Sequence, residues 1–212
     1  MSTPMMQQIS ALKREAGDAI LLTRMGDFYE LLGEDARGFL ADLQRRVAIP
    51  TTSQEQGSMP ALQEYVSGEM SGSLKKLGYE CTVLPNPRAE YGPFLIARRV
   101  EDPAKPTVLT YGHGDVIRGQ DDQWRQGLSP WKIVIEGEKM YGRGTADNKG
   151  QHTINIAALQ CVLEERGSLG FNSTILIETG EAERTVTLKV DRWWTGGDET
   201  ELVVAASMSV AS

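Results

Sequence analysis

The sequence predicts an α/β fold with a partly parallel sheet and flanking helices. Three observations carry this. Short apolar runs bounded by Pro and Gly alternate with helical patterns across the middle of the chain. TVLTYG, NKGQHTINIAALQCVLEERG and STILIE follow one another as strand, helix and strand, a βαβ unit whose crossover lays its strands parallel. Imidazole and carboxylate residues fall just beyond those strands, where open α/β sheets gather their reactive groups.

The elements are expected in this order. A helix runs from Thr3 and Pro4 to about Glu15, with Met5, Met6, Ile9 and Leu12 at helical spacing. AILLTRMGDFYELL is strand-like and turns at Gly26-Asp27. Leu62, Tyr65, Val66, Met70, Leu74 and Leu77 mark an amphipathic helix that starts at Pro60 and stops at Gly78. YECTVL, PFLIARR and TVLTYG read as strands, and KIVIEGEKMYG as a hairpin turning at Glu136-Gly137. The helix of the βαβ unit closes at Gly167. Val186, Leu188 and Val190 alternate, TGGDE turns, and LVVAA returns, which predicts a C-terminal β-hairpin.

The 212 residues suffice for one domain with small appendages. With 40% hydrophobic and 24% charged residues the composition is that of a soluble globular protein. A net charge of −7 disfavours nucleic acid and anionic membranes, both of which reward clustered Lys and Arg. No stretch approaches the ~18 apolar residues of a membrane span, and the N-terminus lacks a signal-peptide pattern. Cys81 and Cys161 form no C-x-x-C pair, so a reduced, cytoplasmic setting is expected. Nothing in the sequence sets an oligomeric state.

His113, Gly114 and Asp115 follow the first strand of the βαβ unit, Asp147 precedes its helix, and Glu181 follows its second strand. Three separate pieces of chain thus deliver an imidazole and carboxylates to one edge, a donor set that suits a zinc-type ion. His113, Asp147 and Glu181 are expected to converge on one solvent-reachable cleft, the first two within one ion's reach, with Asp115 against the His113 ring and raised carboxyl pKa values at that cleft.

YGHGDVIRG, DDQWRQGLSPW, YGRGTADNKG and LIETGE resemble the aminoacylases, acetylornithine deacetylases and succinyl-diaminopimelate desuccinylases, co-catalytic di-zinc metallopeptidases and amidohydrolases. The resemblance runs from about Gly38 to Glu181. It implies that His113 binds one zinc, Asp147 bridges two, Asp115 orients the His113 ring, and Glu181 is the general base for a water attacking an amide carbonyl. It also implies an unusual cis peptide at Asp147-Asn148. The sequence departs from the family pattern at Ala182, where a metal-ligand Glu stands, and it has no histidine after His152, which is expected on a helix surface. Residues 38–181 are therefore expected to be a truncated zinc-peptidase-like catalytic domain with weak or partial zinc occupancy. Its substrate would be a small amide or peptide, and its hydrolysis is expected to be impaired or lost.

TPMMQQ and RMGDFYEL resemble the opening of the mismatch-repair protein MutS over about residues 2–36. The resemblance implies that Phe28 wedges beside a mispaired base and Glu30 hydrogen-bonds it. Without a basic surface to hold phosphates, nucleic acid is not the expected partner. The domain reading is thus 1–37 MutS-like, 38–181 metallopeptidase-like, and 182–212 a β-hairpin tail of unknown origin. A metal-dependent hydrolase, a catalytically silent chimeric fragment or interaction module, and a mismatch-DNA-binding segment remain as three functional alternatives.

Overall fold

A computed structural model describes residues 4–16, 22–25, 28–31, 33–137, 139–180, 186–188 and 208–210. Helix α1 spans Pro4–Ala16 and ends on Lys13 and Arg14, cations that complement a helix C-terminus. Strands β1 (Leu22–Met25) and β2 (Phe28–Leu31) pair antiparallel; the expected turn at Gly26-Asp27 lies outside the described residues. Phe28 stands opposite Met25 in this ribbon and Glu30 opposite Thr23. Helix α2 follows at Gly33–Ala48.

The amphipathic pattern that begins at Pro60 folds as three joined pieces. These are α3 (Met59–Glu64), a π-helical turn (Tyr65–Met70) and α4 (Ser71–Lys76). The sequence predicts one uniform helix here; the wider turn suits residues five apart, and Tyr65 and Met70 are both fully buried. The Ser71 hydroxyl donates to the Val66 carbonyl at 2.6 Å, satisfying an acceptor within this turn.

Strands β3 (Glu80–Leu84), β4 (Phe94–Arg99) and β5 (Thr107–His113) are followed by the hairpin β6 (Val134–Glu136) and β7 (Lys139–Tyr141). That hairpin pairs Glu136 with Lys139, so its turn falls one residue later than predicted, with Gly137 at φ 58°. Helix α5 (Lys149–Arg166) ends at Gly167, whose φ of 70° and N–H to the Leu163 carbonyl close it. Strand β8 (Asn172–Glu178) completes a four-stranded sheet ordered β3-β4-β8-β5. β5 and β8 are parallel, from Thr107 opposite Asn172 to His113 opposite Glu178, and the other two pairings are antiparallel.

The core joins one sheet face to the helices. Tyr65, Val66, Met70 and Leu74 meet Leu95, Ala97, Ile175 and Ile177, with Ile156 of α5 against them. Each large apolar side chain buried this way contributes about 1.5–3 kcal/mol.

β9 (Val186–Leu188) pairs antiparallel with β10 (Met208–Val210), setting Leu188 against Met208 and Val186 against Val210. The partner of 186–188 is thus 208–210, where Met208 and Val210 keep the apolar alternation. LVVAA and TGGDE themselves lie outside the described residues.

Candidate metal centre

The parallel β5–β8 pairing sets His113 at the carboxyl edge of the sheet. The chain beyond it is pinned at once. The Gly114 N–H donates to the Glu178 carbonyl at 2.7 Å, the Thr51 hydroxyl to the Gly114 carbonyl at 2.7 Å, and the Val116 N–H to the Thr51 carbonyl at 2.8 Å. Gly114 is required here, because a Cβ would stand 2.6 Å from the Tyr65 ring.

Asp115, 5% exposed, turns one carboxylate oxygen to His113 Nδ1 at 3.2 Å and accepts the Ser53 hydroxyl on the other at 2.7 Å. The opposite ring nitrogen, His113 Nε2, lies 3.0 Å from Asp147 Oδ1. The Asp147 side chain is 78% exposed, and the Asp147-Asn148 peptide is cis, as the family resemblance implies. Ser53, His113, Asp115, Arg143, Thr145 and Asp147 all border one cleft of about 380 Å³. His113, Asp115 and Asp147 therefore meet at this cleft. Glu181, expected beside His113 and Asp147, lies outside the described residues, as do Ala182 and Glu183.

The electrostatics follow from the contacts. The hydrogen bond to Asp115 pushes the His113 pKa up to about 9 against the opposing effect of burial, and Asp147 adds to the rise. Burial pushes the Glu178 carboxyl above its ordinary range. Glu178 is opposite His113 in the ladder, takes the Tyr111 hydroxyl at 3.2 Å, and accepts the Gly180 N–H at 2.8 Å.

Two neighbours of the site, Lys149 and Ser53, are not singled out by the sequence pattern. Lys149 is fully buried, donates to the Ile49 carbonyl at 2.6 Å, and sits 5.1 Å from the Tyr65 ring centre; burial lowers its pKa to about 7. Ser53 reaches the site from a loop distant in sequence. His152 corrects an expectation: it is 5% exposed, packs 6.4 Å from the Tyr65 ring, and places Nε2 2.9 Å from the His113 carbonyl. The helix face it occupies is buried although polar. One signal did point to it: Lys149, His152, Thr153 and Ile156 recur at core-facing helical spacing.

The donors fit zinc in kind, since imidazole nitrogen and carboxylate oxygen converge while Asp115 occupies the other ring nitrogen. In number they fall short of the three protein ligands of a catalytic zinc: among the described residues no group of three His, Cys, Asp or Glu side chains is placed to hold a metal. Among the described residues no helix is long and apolar enough to cross a membrane.

Both sequence resemblances recur in comparison with known proteins. Residues 109–184 match the model of peptidase family M20/M25/M40, and residues 3–69 match that of MutS domain I, which extends past residue 37. The Cys-Gly metallodipeptidase of Candida albicans is 28% identical over 189 residues, covering 74% of this chain and 39% of that protein. The MutS protein of Desulfitobacterium hafniense is 35% identical over 116 residues, covering 52% of this chain and 13% of that one. The solved structure of the dipeptidase Dug1p from Saccharomyces cerevisiae superposes with a TM-score of 0.59 at 26% identity, over 68% of this chain and 32% of that one. The chain spans about 39% of the length of the curated dipeptidases it matches.

Proposed function

We propose that residues 107–180 carry the histidine–aspartate half of a dipeptidase-type metal site, and that the chain holds zinc weakly and turns over amides poorly. The observation that carries this is the His113 imidazole held between two carboxylates, 3.2 Å from Asp115 and 3.0 Å from Asp147. A buried Asp115 anchored by Ser53 favours the proton on Nδ1 and leaves Nε2 to face the cleft. Asp147 presents its carboxylate from the turn before α5. Zinc bound between them would supply Lewis acidity toward an amide carbonyl. The similarity to Cys-Gly dipeptidases supports small peptides as the substrate class.

Zinc titration of the purified chain by calorimetry, with His113→Ala and Asp147→Ala alongside, tests the site. Weak binding lost in both variants is expected, together with well under one equivalent of zinc in protein purified without added metal. Binding that survives both substitutions would overturn the site assignment. A full equivalent that resists dialysis against chelator, or ready hydrolysis of Cys-Gly, would overturn the weak-site reading.

A further inference from the structure

We propose that His152 is a positioning residue for His113, holding the main chain on which that imidazole is mounted. The proposal rests on the metal-site reading above only for its effect on zinc. His113 is the last residue of β5, so its carbonyl lies where the ladder ends. A carbonyl can only accept, so the 2.9 Å contact assigns the proton to His152 Nε2. The bond reaches from the first turn of α5 to the end of β5, joining the helix that follows Asp147 to the strand that carries His113.

The surroundings are built for this donor. Gly112 makes room for it: a Cβ there would stand 2.5 Å from His152 Cε1. The Tyr65 ring packs beside that of His152, tilted, with the ring centres 6.4 Å apart. His113 is then gripped at three points: Asp115 at Nδ1, Asp147 at Nε2 and His152 at the carbonyl. Groups that orient a metal-binding imidazole typically change metal affinity by about 10–100-fold when removed.

A histidine that merely fills space makes a different prediction from one that supplies a donor. His152→Leu keeps apolar volume and removes the N–H, whereas His152→Gln keeps an amide N–H near the same reach. Three quantities are measured: amide exchange at Gly114 in metal-free protein, zinc affinity by calorimetry, and the thermal midpoint. For His152→Leu the expected result is faster Gly114 exchange and about tenfold weaker zinc, with a midpoint near that of the parent. His152→Gln is expected to restore both site readouts. Unchanged exchange and affinity in the leucine variant, or a glutamine variant as impaired as the leucine one, would overturn the proposal. If the parent takes up no zinc, the metal-site reading fails and Gly114 exchange alone decides this one. If the leucine variant does not fold, the glutamine variant decides: parent-like values support the donor role and their loss refutes it.

Discussion

His113 Nε2 and Asp147 Oδ1 lie 3.0 Å apart, although 34 positions of sequence separate them. One is carried by the end of a strand and the other by the turn that opens a helix. The two meet because β5 and α5 both deliver residues to the carboxyl edge of the sheet, with the β6–β7 hairpin between them in the chain. With Asp115 on its other nitrogen, the imidazole is bracketed by carboxylates, and its proton is held accordingly.

A pH dependence of stability follows. The His113 value of about 9 lies above its ordinary 6.5, so the folded state keeps this proton longer than the unfolded state. The resulting stabilisation is complete below pH 6.5 and lost as pH climbs through about 9. Lys149 acts oppositely: its value is lowered from 10.5 to about 7, so stability falls as pH drops across that range. The two effects partly cancel in the parent. Urea midpoints of the parent minus those of His113→Gln should therefore decline from neutral to alkaline pH; a flat difference would contradict the bracketed imidazole.

Ser53→Ala leaves one oxygen of a buried carboxylate without its donor. A loss of about 1–3 kcal/mol is expected by denaturant titration, with Ser53→Thr close to the parent. An alanine variant as stable as the parent would show that the contact contributes nothing.

Two glycines separate steric from conformational need. A Cβ at Gly150 would be driven into the Thr145 carbonyl oxygen, backbone that cannot swing aside. Gly167 has open space but a φ of 70°. Gly150→Ala should cost at least about 1–3 kcal/mol, and Gly167→Ala about 1–2 kcal/mol. Equal, negligible losses at both positions would refute the packing at the start of α5.

Ala182→Glu returns a carboxylate beside Glu181 but supplies no second histidine. Tighter zinc without turnover of N-acyl amino acids is expected. Turnover that Glu181→Gln abolishes would show that the remaining donors suffice.

The MutS-like segment is expected to bind mismatched DNA no better than homoduplex. With a net charge of −7, the chain gains little from releasing counterions along the phosphate backbone. Gel shifts at low salt with G·T and matched duplexes decide it: selectivity removed by Phe28→Ala would refute this expectation.

Much of the architecture was legible because its signals are local. Pro60 near the start of α3 and Gly167 beyond α5 are read from chain chemistry alone, and the β5–α5–β8 crossover follows from the order of apolar runs. His113, Asp115 and Asp147 were legible by motif and are found together. His152 was misread because the buried face of α5 carries Lys149, His152 and Thr153, whose polar atoms are satisfied by hydrogen bonds to the Ile49, His113 and Lys149 carbonyls rather than by apolar character. Ser53 and Glu178 depend on tertiary register: nothing near either residue announces Asp115 or His113 as its neighbour. The π-helical turn likewise answers to what Tyr65 and Met70 pack against, not to helix propensity.

The placement of β8 between β4 and β5 has a consequence for synthesis. β3 and β4 can pair as soon as both have left the ribosome, being neighbours in sequence and in the sheet. β5 emerges next but finds no partner among them, since its only ladder among the described residues is with β8. For the time needed to make α5 and β8, the nascent chain carries two unsatisfied strand flanks, those of β4 and β5. The strand that arrives last joins both flanks in one step, so sheet completion waits on long-range pairings such as Leu95 with Ile177. A pause or break in translation before residue 172 would release a species with its adhesive edges open.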